Sequence, residues 1–253
     1  MAKTGNKKHR YGLVGKNIAY SFSRSYFTNK FQREGLEDYD YVNFDLENID
    51  EFPLLLQSNK RLRGLNVTIP YKEAIIPYLD EIEPQAAEIG AVNTIEFSSR
   101  GLKGHNTDVY GFKESISGML GPGDQHALIL GTGGASKAIA YVLGQLGIEY
   151  RLVSRSPADG QLSYQDLGKE IMSASTLIVN CTPLGTFPDI QQKPALPYSL
   201  INHRHLLYDL IYNPTKTLFL KEGEQRGARI LNGLRMLELQ AEKSWEIWNN
   251  PIP

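Results

Sequence analysis

The stretch that most restricts how this chain can fold is an apolar strand, Ala127 to Leu130, that runs through Gly131-Thr132-Gly133-Gly134-Ala135-Ser136 into a helical segment, Lys137 to Leu146. A further strand, Tyr150 to Ser154, follows directly. Strand, helix and strand in that order place the two strands side by side and parallel, so the region predicts a doubly wound α/β sheet. Glycines at such a turn let backbone N–H groups approach an anion at the helix N-terminus. Gly131, Thr132, Gly133, Gly134 and Ala135 are therefore the expected cradle for the pyrophosphate of a dinucleotide, with a chance glycine turn as the alternative. Ser136 stands where the third glycine of G-x-G-x-x-G would, and a residue that small still permits close packing. The end of the following strand reads Ser154-Arg155-Ser156; an acidic residue there suits the ribose of NAD, whereas arginine suits the 2′-phosphate of NADP, so NADP is favoured. Thr176 to Cys181 and Leu206 to Ile211 continue the pattern as strands, and Cys181 reads as a small buried apolar residue.

The first half of the chain repeats the alternation. Strands are expected at Arg10 to Gly15, Asp40 to Asp45 and Leu62 to Ile69, with helical segments at Ser25 to Glu34, closed by Gly35, and at Ile49 to Gln57. Parallel sheets bind ligands outside the carboxyl ends of their strands. Ser21, Ser23, Thr68 and Lys72 all lie at or just past such ends, Pro70 stopping the third strand before Lys72. Taken singly, the serines could be helix caps and the lysine a solvated surface charge. Ala91 to Phe97 and Leu102 to Asp108, joined by Ser98-Ser99-Arg100-Gly101, read as a β-hairpin. The start of one hairpin strand lies beside the end of the other, so Asn93 and Asp108 are expected to be neighbours. Gly121-Pro122-Gly123-Asp124 resembles a linker. In the last segment, Asn232 to Asn249, Leu234, Leu237, Ala241, Trp245 and Trp248 recur at helical spacing as a core face, with Gln240 on its flank and solvent as its simplest surroundings.

Composition narrows the function. The formal net charge is −1 over 253 residues, which gives no general attraction to nucleic acid or anionic membranes. Lys3, Lys7, Lys8, His9 and Arg10 form only a small basic tail, expected to be disordered. With no apolar run long enough to span a membrane, a soluble, cytoplasmic protein is expected. The single cysteine excludes an internal disulfide, and His126, His203 and His205 show no zinc-ligand spacing, so no metal is expected.

Together the motifs resemble the shikimate dehydrogenase family over nearly the whole chain. Gly15 to Ser23 is similar to its G-x-x-x-x-x-S-x-S segment, Asn66 to Lys72 to N-V-T-x-P-x-K, Ala91 to Thr94 to A-V-N-T, and Asn106 to Asp108 to N-T-D. Gly131 to Ser136 is similar to G-x-G-G-A-S, Asn180 to Gly185 to N-x-T-P-L-G, Tyr208 to Thr217 to Y-D-L-x-Y-x-P-x-x-T, and Gly233 to Gln240 to the terminal G-L-x-M-L-x-x-Q helix. The resemblance implies two domains. Residues 1–108, with 232–253 packing back on them, would form a mostly parallel α/β substrate-binding and catalytic domain, and 109–231 a Rossmann-like NADP-binding domain. It also implies that Ser21 and Ser23, with Tyr212 nearby, bind a substrate carboxylate. Thr68, Asn93, Asp108 and Gln240 would bind ring hydroxyls, and Lys72 with Asp108 would be the catalytic pair. Ser154, Arg155, Ser156 and Leu210 would join the glycine turn in holding NADP. Asn17 and Arg24 depart from prolines common in the family, and Asp159 stands in place of a second arginine, which implies looser discrimination of NADP from NAD.

Ketone reduction by a nicotinamide needs a proton donor within reach of the developing alkoxide, and Lys72 supplies both a proton and a positive charge. The expected reaction is NADPH-dependent reduction of 3-dehydroshikimate to shikimate, by a monomer or homodimer with no macromolecular substrate. A quinate or broader shikimate dehydrogenase using NAD shares most of these residues. A non-catalytic sensor of shikimate-like ligands is the rival from another class, disfavoured by the presence of both Lys72 and Asp108.

Overall fold

Apolar residues on both faces of consecutive short strands leave those strands one stable solution, a sheet covered by helices on each side, and the chain builds two of these. A computed structural model describes residues 8–19 and 21–249. One unit ends at Tyr110 and takes up the chain again at Glu238, and the other runs from Gly111 to Leu237.

The first unit holds β1 (His9–Gly15), α1 (Phe22–Arg33), β2 (Tyr39–Asp45), α2 (Phe52–Ser58), β3 (Leu62–Val67), β4 (Glu81–Ile82), α3 (Pro84–Ile89), β5 (Thr94–Ser98) and β6 (Gly101–His105). The strand order is β2-β1-β3-β5-β6-β4. The β2-β1-β3 side is parallel, while β5 runs antiparallel to both β3 and β6. Alternation along β1 divides the core: Tyr11 and Leu13 join Phe27, Phe31, Tyr41 and Trp248 in one cluster, and Val14 joins Phe52, Leu65 and Ile75 in another. The chain leaves this unit within α4 (Asp108–Ser117) and returns within α8 (Leu234–Asn249). α8 is anchored to the sheet by Trp248, whose indole N–H donates to the Ile95 carbonyl at 3.0 Å. It is tied to α1 by Glu242, which pairs with the buried Lys30 at 2.8 Å and accepts from Tyr26.

The second unit contains β7 (His126–Leu130), α5 (Gly134–Gln145), β8 (Glu149–Ser154), β9 (Leu162–Ser163), α6 (Lys169–Ala174), β10 (Leu177–Asn180), β11 (Leu206–Asp209), α7 (Leu218–Glu224) and β12 (Arg229–Leu231). All its strand pairs are parallel, in the order β12-β11-β10-β7-β8-β9. Chain order reverses direction at the β7-β10 pair, the switch point at which such sheets bind ligands and the hallmark of a Rossmann-type topology. The expected α/β architecture is thus observed, as is the return of the C-terminal helix to the first sheet.

Several local expectations change. His9 and Arg10 belong to β1 rather than to a tail, because Arg10 forks onto the Asp40 carboxylate at 2.7 and 3.0 Å; Lys3 and Lys7 lie outside the described residues. Gly121 to Asp124 is a fixed turn and not a linker: the buried Asp124 accepts from Gly121 N–H at 2.8 Å and pairs with Arg229 at 2.9 Å. The hairpin loop is only Ser99-Arg100, with Gly101 at φ +113° opening β6. Leu234 is 37% exposed, and the buried stripe of α8 is Met236, Ala241, Ser244 and Trp248. Cys181 is half-buried just past the end of β10.

Gly64 in β3 shows how tightly α8 is seated, since a Cβ there would lie 2.4 Å from the Trp248 ring. The contact is with a rigid indole held at its N–H, so the methyl group cannot be absorbed by rotation. Gly64→Ala should destabilise the protein by about 2 kcal/mol, measured as a lowered urea midpoint, whereas alanine at Gly133, which faces open space, should cost far less.

Candidate active site

The carboxyl end of β3 and the start of β5 are joined by their backbones. Val67 N–H donates to Asn93 C=O at 2.8 Å, and Val92 N–H donates to Lys72 C=O at 2.7 Å. These two bonds fix the Asn66 to Lys72 segment beside Asn93. Lys72 Nζ donates to Asp108 Oδ2 at 2.6 Å, with the lysine side chain 14% exposed and the aspartate buried. Asn93 Nδ2 donates to Asp108 Oδ1 and to Gln240 Oε1, both at 2.9 Å. The expected Asn93–Asp108 neighbourhood is therefore present, although Asp108 opens helix α4 instead of ending a strand. Gln240 is not solvated: it is drawn in by Asn93, which leaves its own NH2 group available as a donor.

A second row of polar side chains holds the first. Asn93 Oδ1 accepts from Thr107 N–H at 2.7 Å, from Thr107 Oγ1 at 3.2 Å and from Thr94 Oγ1 at 3.2 Å. Ser244, fully buried, donates to Gln240 C=O at 2.9 Å, accepts from Asn66 Nδ2 at 2.9 Å and meets Thr94 Oγ1 at 2.8 Å. Asn66 Oδ1 in turn accepts from the Tyr41 hydroxyl at 2.8 Å, and Ser23 lies beside that phenol. Asn66, Thr94 and Thr107 stand inside the quoted motifs but carried no assigned role. Ser244, one helical turn beyond Gln240, belongs to none of the sequence motifs.

Ser21 caps α1 without a side-chain hydrogen bond to the helix, and its buried Oγ has no partner among the described residues. Thr68 lies at the same edge, its N–H donating to Val14 C=O at 2.9 Å. Gly15 lets the two segments meet, since a Cβ there would come within 2.6 Å of both Thr68 and Ile18. Ser21, Ser23, Thr68, Lys72, Asn93, Asp108 and Gln240 thus share one edge of the first sheet. An amine, a carboxylate, amides and hydroxyls gathered there can bind a small polyhydroxylated acid and pass a proton to it.

In the second unit, Gly131 leaves β7 at φ +103° and donates to Val153 C=O at 2.9 Å, which sets the glycine turn beside Ser154-Arg155-Ser156. Gly133 caps the twelve-residue α5 with no side chain and with open space where a Cβ would be. An uncapped helix N-terminus behind a cradle of glycines, with exposed Arg155 on the adjoining strand end, fits a dinucleotide carrying an extra phosphate. Ser136 Oγ donates to Gly133 C=O at 2.6 Å, so the residue in the third-glycine position closes the turn. Leu210 lies on the same edge, its N–H donating to Asn180 C=O at 3.0 Å. Tyr212 follows β11 in this unit, and burial raises its phenol above the ordinary value. Among the described residues no group of His, Cys, Asp or Glu could hold a metal ion.

Asp209, the last residue of β11, is buried, and desolvation pushes its carboxyl up to about 6 against the bonds from Thr217, Ile211 N–H and Asn180 that favour its charge. A carboxyl held above its unfolded pKa binds its proton more tightly in the fold. Its contribution to stability is therefore present below about pH 4 and lost as pH rises through 6, a change of about 3 kcal/mol. Urea unfolding at a series of pH values should show the wild type losing stability relative to Asp209→Asn between pH 4 and 6.5 and running parallel to it above; parallel curves throughout would contradict the assignment.

Comparison with known proteins bears on the family and the fold. The family model for the shikimate dehydrogenase substrate binding domain matches residues 13–95. Shikimate dehydrogenase (NADP(+)) of Methanosphaera stadtmanae is 35% identical over 261 residues, covering 96% of this chain and 92% of that protein. The crystal structure of shikimate dehydrogenase from Aquifex aeolicus superposes with a TM-score of 0.86 at 32% identity, over 97% of this chain and 94% of that one. Shikimate 5-dehydrogenase from Thermus thermophilus, solved with NADP(H) and shikimate, gives 0.84 at 32% identity, over 97% and 95% of the two chains. With identity of this order sustained across both units, the chain belongs to the shikimate dehydrogenase family.

Proposed function

We propose that this protein is an NADP-dependent shikimate dehydrogenase, reducing 3-dehydroshikimate to shikimate on the route to chorismate and the aromatic amino acids. The observation that carries the reading is the 2.6 Å Lys72–Asp108 pair beside Asn93 and Gln240. In this reading residues 1–108 with 232–253 bind substrate, residues 109–231 bind NADP, and the enzyme works in the cytoplasm as a monomer or homodimer. Among the described residues no helix is long and apolar enough to cross a membrane.

Ser21 and Ser23, with Tyr212, receive the substrate carboxylate; Thr68, Asn93, Asp108 and Gln240 take the ring hydroxyls. NADPH would supply the hydride; Gly131 to Ala135 would hold its pyrophosphate, Ser154, Arg155 and Ser156 its 2′-phosphate, and Leu210 would join them in the cofactor site. Lys72 donates its proton to the C3 carbonyl oxygen as negative charge develops there, and in the reverse direction takes the proton from the C3 hydroxyl. Asp108 aims the ammonium group and accepts from the neighbouring hydroxyl. Asn93 holds Asp108 and Gln240 in place, and a ring hydroxyl binding there replaces one of these amide bonds.

Absorbance at the nicotinamide band with shikimate or quinate and with NADP+ or NAD+ tests the reading, the shikimate–NADP+ pair being the expected best. Lys72→Ala should lower kcat by about 10³ with KM for shikimate little changed; near-native turnover would remove Lys72 from the chemistry. Arg155→Ala should raise KM for NADP+ about tenfold and leave NAD+ unaffected.

A further inference from the structure

The stretch that leads to Ser21, Lys16 to Ala19, is held from outside itself. Asn17 sits at φ +58°, the one non-glycine residue with positive φ among those described. Asparagine tolerates the left-handed region but does not prefer it, so the conformation persists only where neighbours fix it. Two side chains of β2 do so. The Asp45 carboxylate accepts from Asn17 N–H at 2.8 Å and from Ile18 N–H at 3.3 Å. Asn43, two residues earlier and so on the same face of the strand, donates to Ile18 C=O at 2.7 Å, the oxygen that also accepts Ser21 N–H at 3.1 Å. Leu46 N–H donates to Gly15 C=O at 2.9 Å, and Lys16 N–H donates to Ile69 C=O at 3.1 Å, at the turn's entrance. The exit is Ser21, whose hydroxyl is withheld from its own helix.

We propose that Asp45 and Asn43 are positioning residues that clamp the Asn17–Ile18 peptide in its left-handed turn and so keep the Ser21 hydroxyl free and aimed for a carboxylate. The proposal rests on the reading that Ser21 and Ser23 bind the substrate carboxylate. Neither β2 residue touches substrate in this scheme. Asp45 places a negative charge near a site for an anion, and its two oxygens are occupied by consecutive backbone N–H groups, which turn that charge toward the loop.

The test is steady-state kinetics of the full chain carrying Asp45→Ala, Asp45→Asn, Asn17→Val, Asn17→Gly and the double variant Ser21→Ala/Ser23→Ala, with a thermal melt of each. Both residue 17 variants keep the N–H, but β-branched valine is strained at positive φ, whereas glycine accepts it. Asp45→Ala and Asn17→Val should raise KM for shikimate about tenfold, with kcat and KM for NADP+ within about twofold. Asn17→Gly should stay near the parent, and Asp45→Asn, which keeps one acceptor, should fall between. If the serine variant raises KM while Asp45→Ala and Asn17→Val do not, the clamp is overturned and the carboxylate reading stands. If the serine variant leaves KM unchanged, the carboxylate reading itself fails. Equal losses in kcat and in both KM values, or Asn17→Gly behaving like Asn17→Val, would also overturn the clamp.

Discussion

The side-chain amide of Asn93 is the junction on which the first unit's polar edge depends. Its carbonyl oxygen gathers Thr107 and Thr94, and its two N–H groups reach Asp108 and Gln240. An amide so occupied has one orientation, and it passes that orientation to the carboxylate paired with Lys72. Buried polar groups are stable only when their bonds are made, and a network satisfied in one arrangement fixes its members as firmly as packing does.

The register between α8 and β3 explains how a helix so distant in sequence finds this network. Two residues along a strand advance about 6.6 Å, and one turn of four residues along a helix about 6 Å. Trp248 over Gly64 and Ser244 on Asn66 are successive rungs of that match. One more rung brings Gln240 level with Thr68, at the point where β3 has ended and the site begins. The second unit's switch-point edge is built differently. A glycine turn presents backbone there in place of side chains, and the buried carboxylate Asp209 fixes the loop after β11 through Asn180, Ile211 N–H and Thr217.

Much of this was legible in the sequence because it is local or follows from strand alternation. The strand-helix alternation, the hairpin that brings Asn93 to Asp108 and the glycine turn all announce themselves within short windows of sequence. What was not legible depends on distant registers. Ser244 is an unremarked serine until Asn66 and Thr94 arrive beneath it, and Asn43 and Asp45 look like ordinary polar positions of a half-exposed strand until the Asn17 turn folds over them. Asp124 was hidden for the same reason, its partner Arg229 lying on the last strand of the second sheet. Helical periodicity places Gln240 on a flank without saying that Asn93 faces it.

The rungs joining α8 to β3 also set an order of events in time. Asn66 and Ser244 are 178 residues apart, and the whole of the second unit is translated between them. As the chain leaves the ribosome, the second sheet can therefore close while the first still lacks its covering helix. Until α8 emerges, Gly64 faces an empty slot, the aromatic layer of Tyr11 and Phe27 is open to solvent, and Asn66 has no serine to bind. Of the two units, the one begun first is the one completed later, and in that interval its exposed rings are the surface a folding helper would meet.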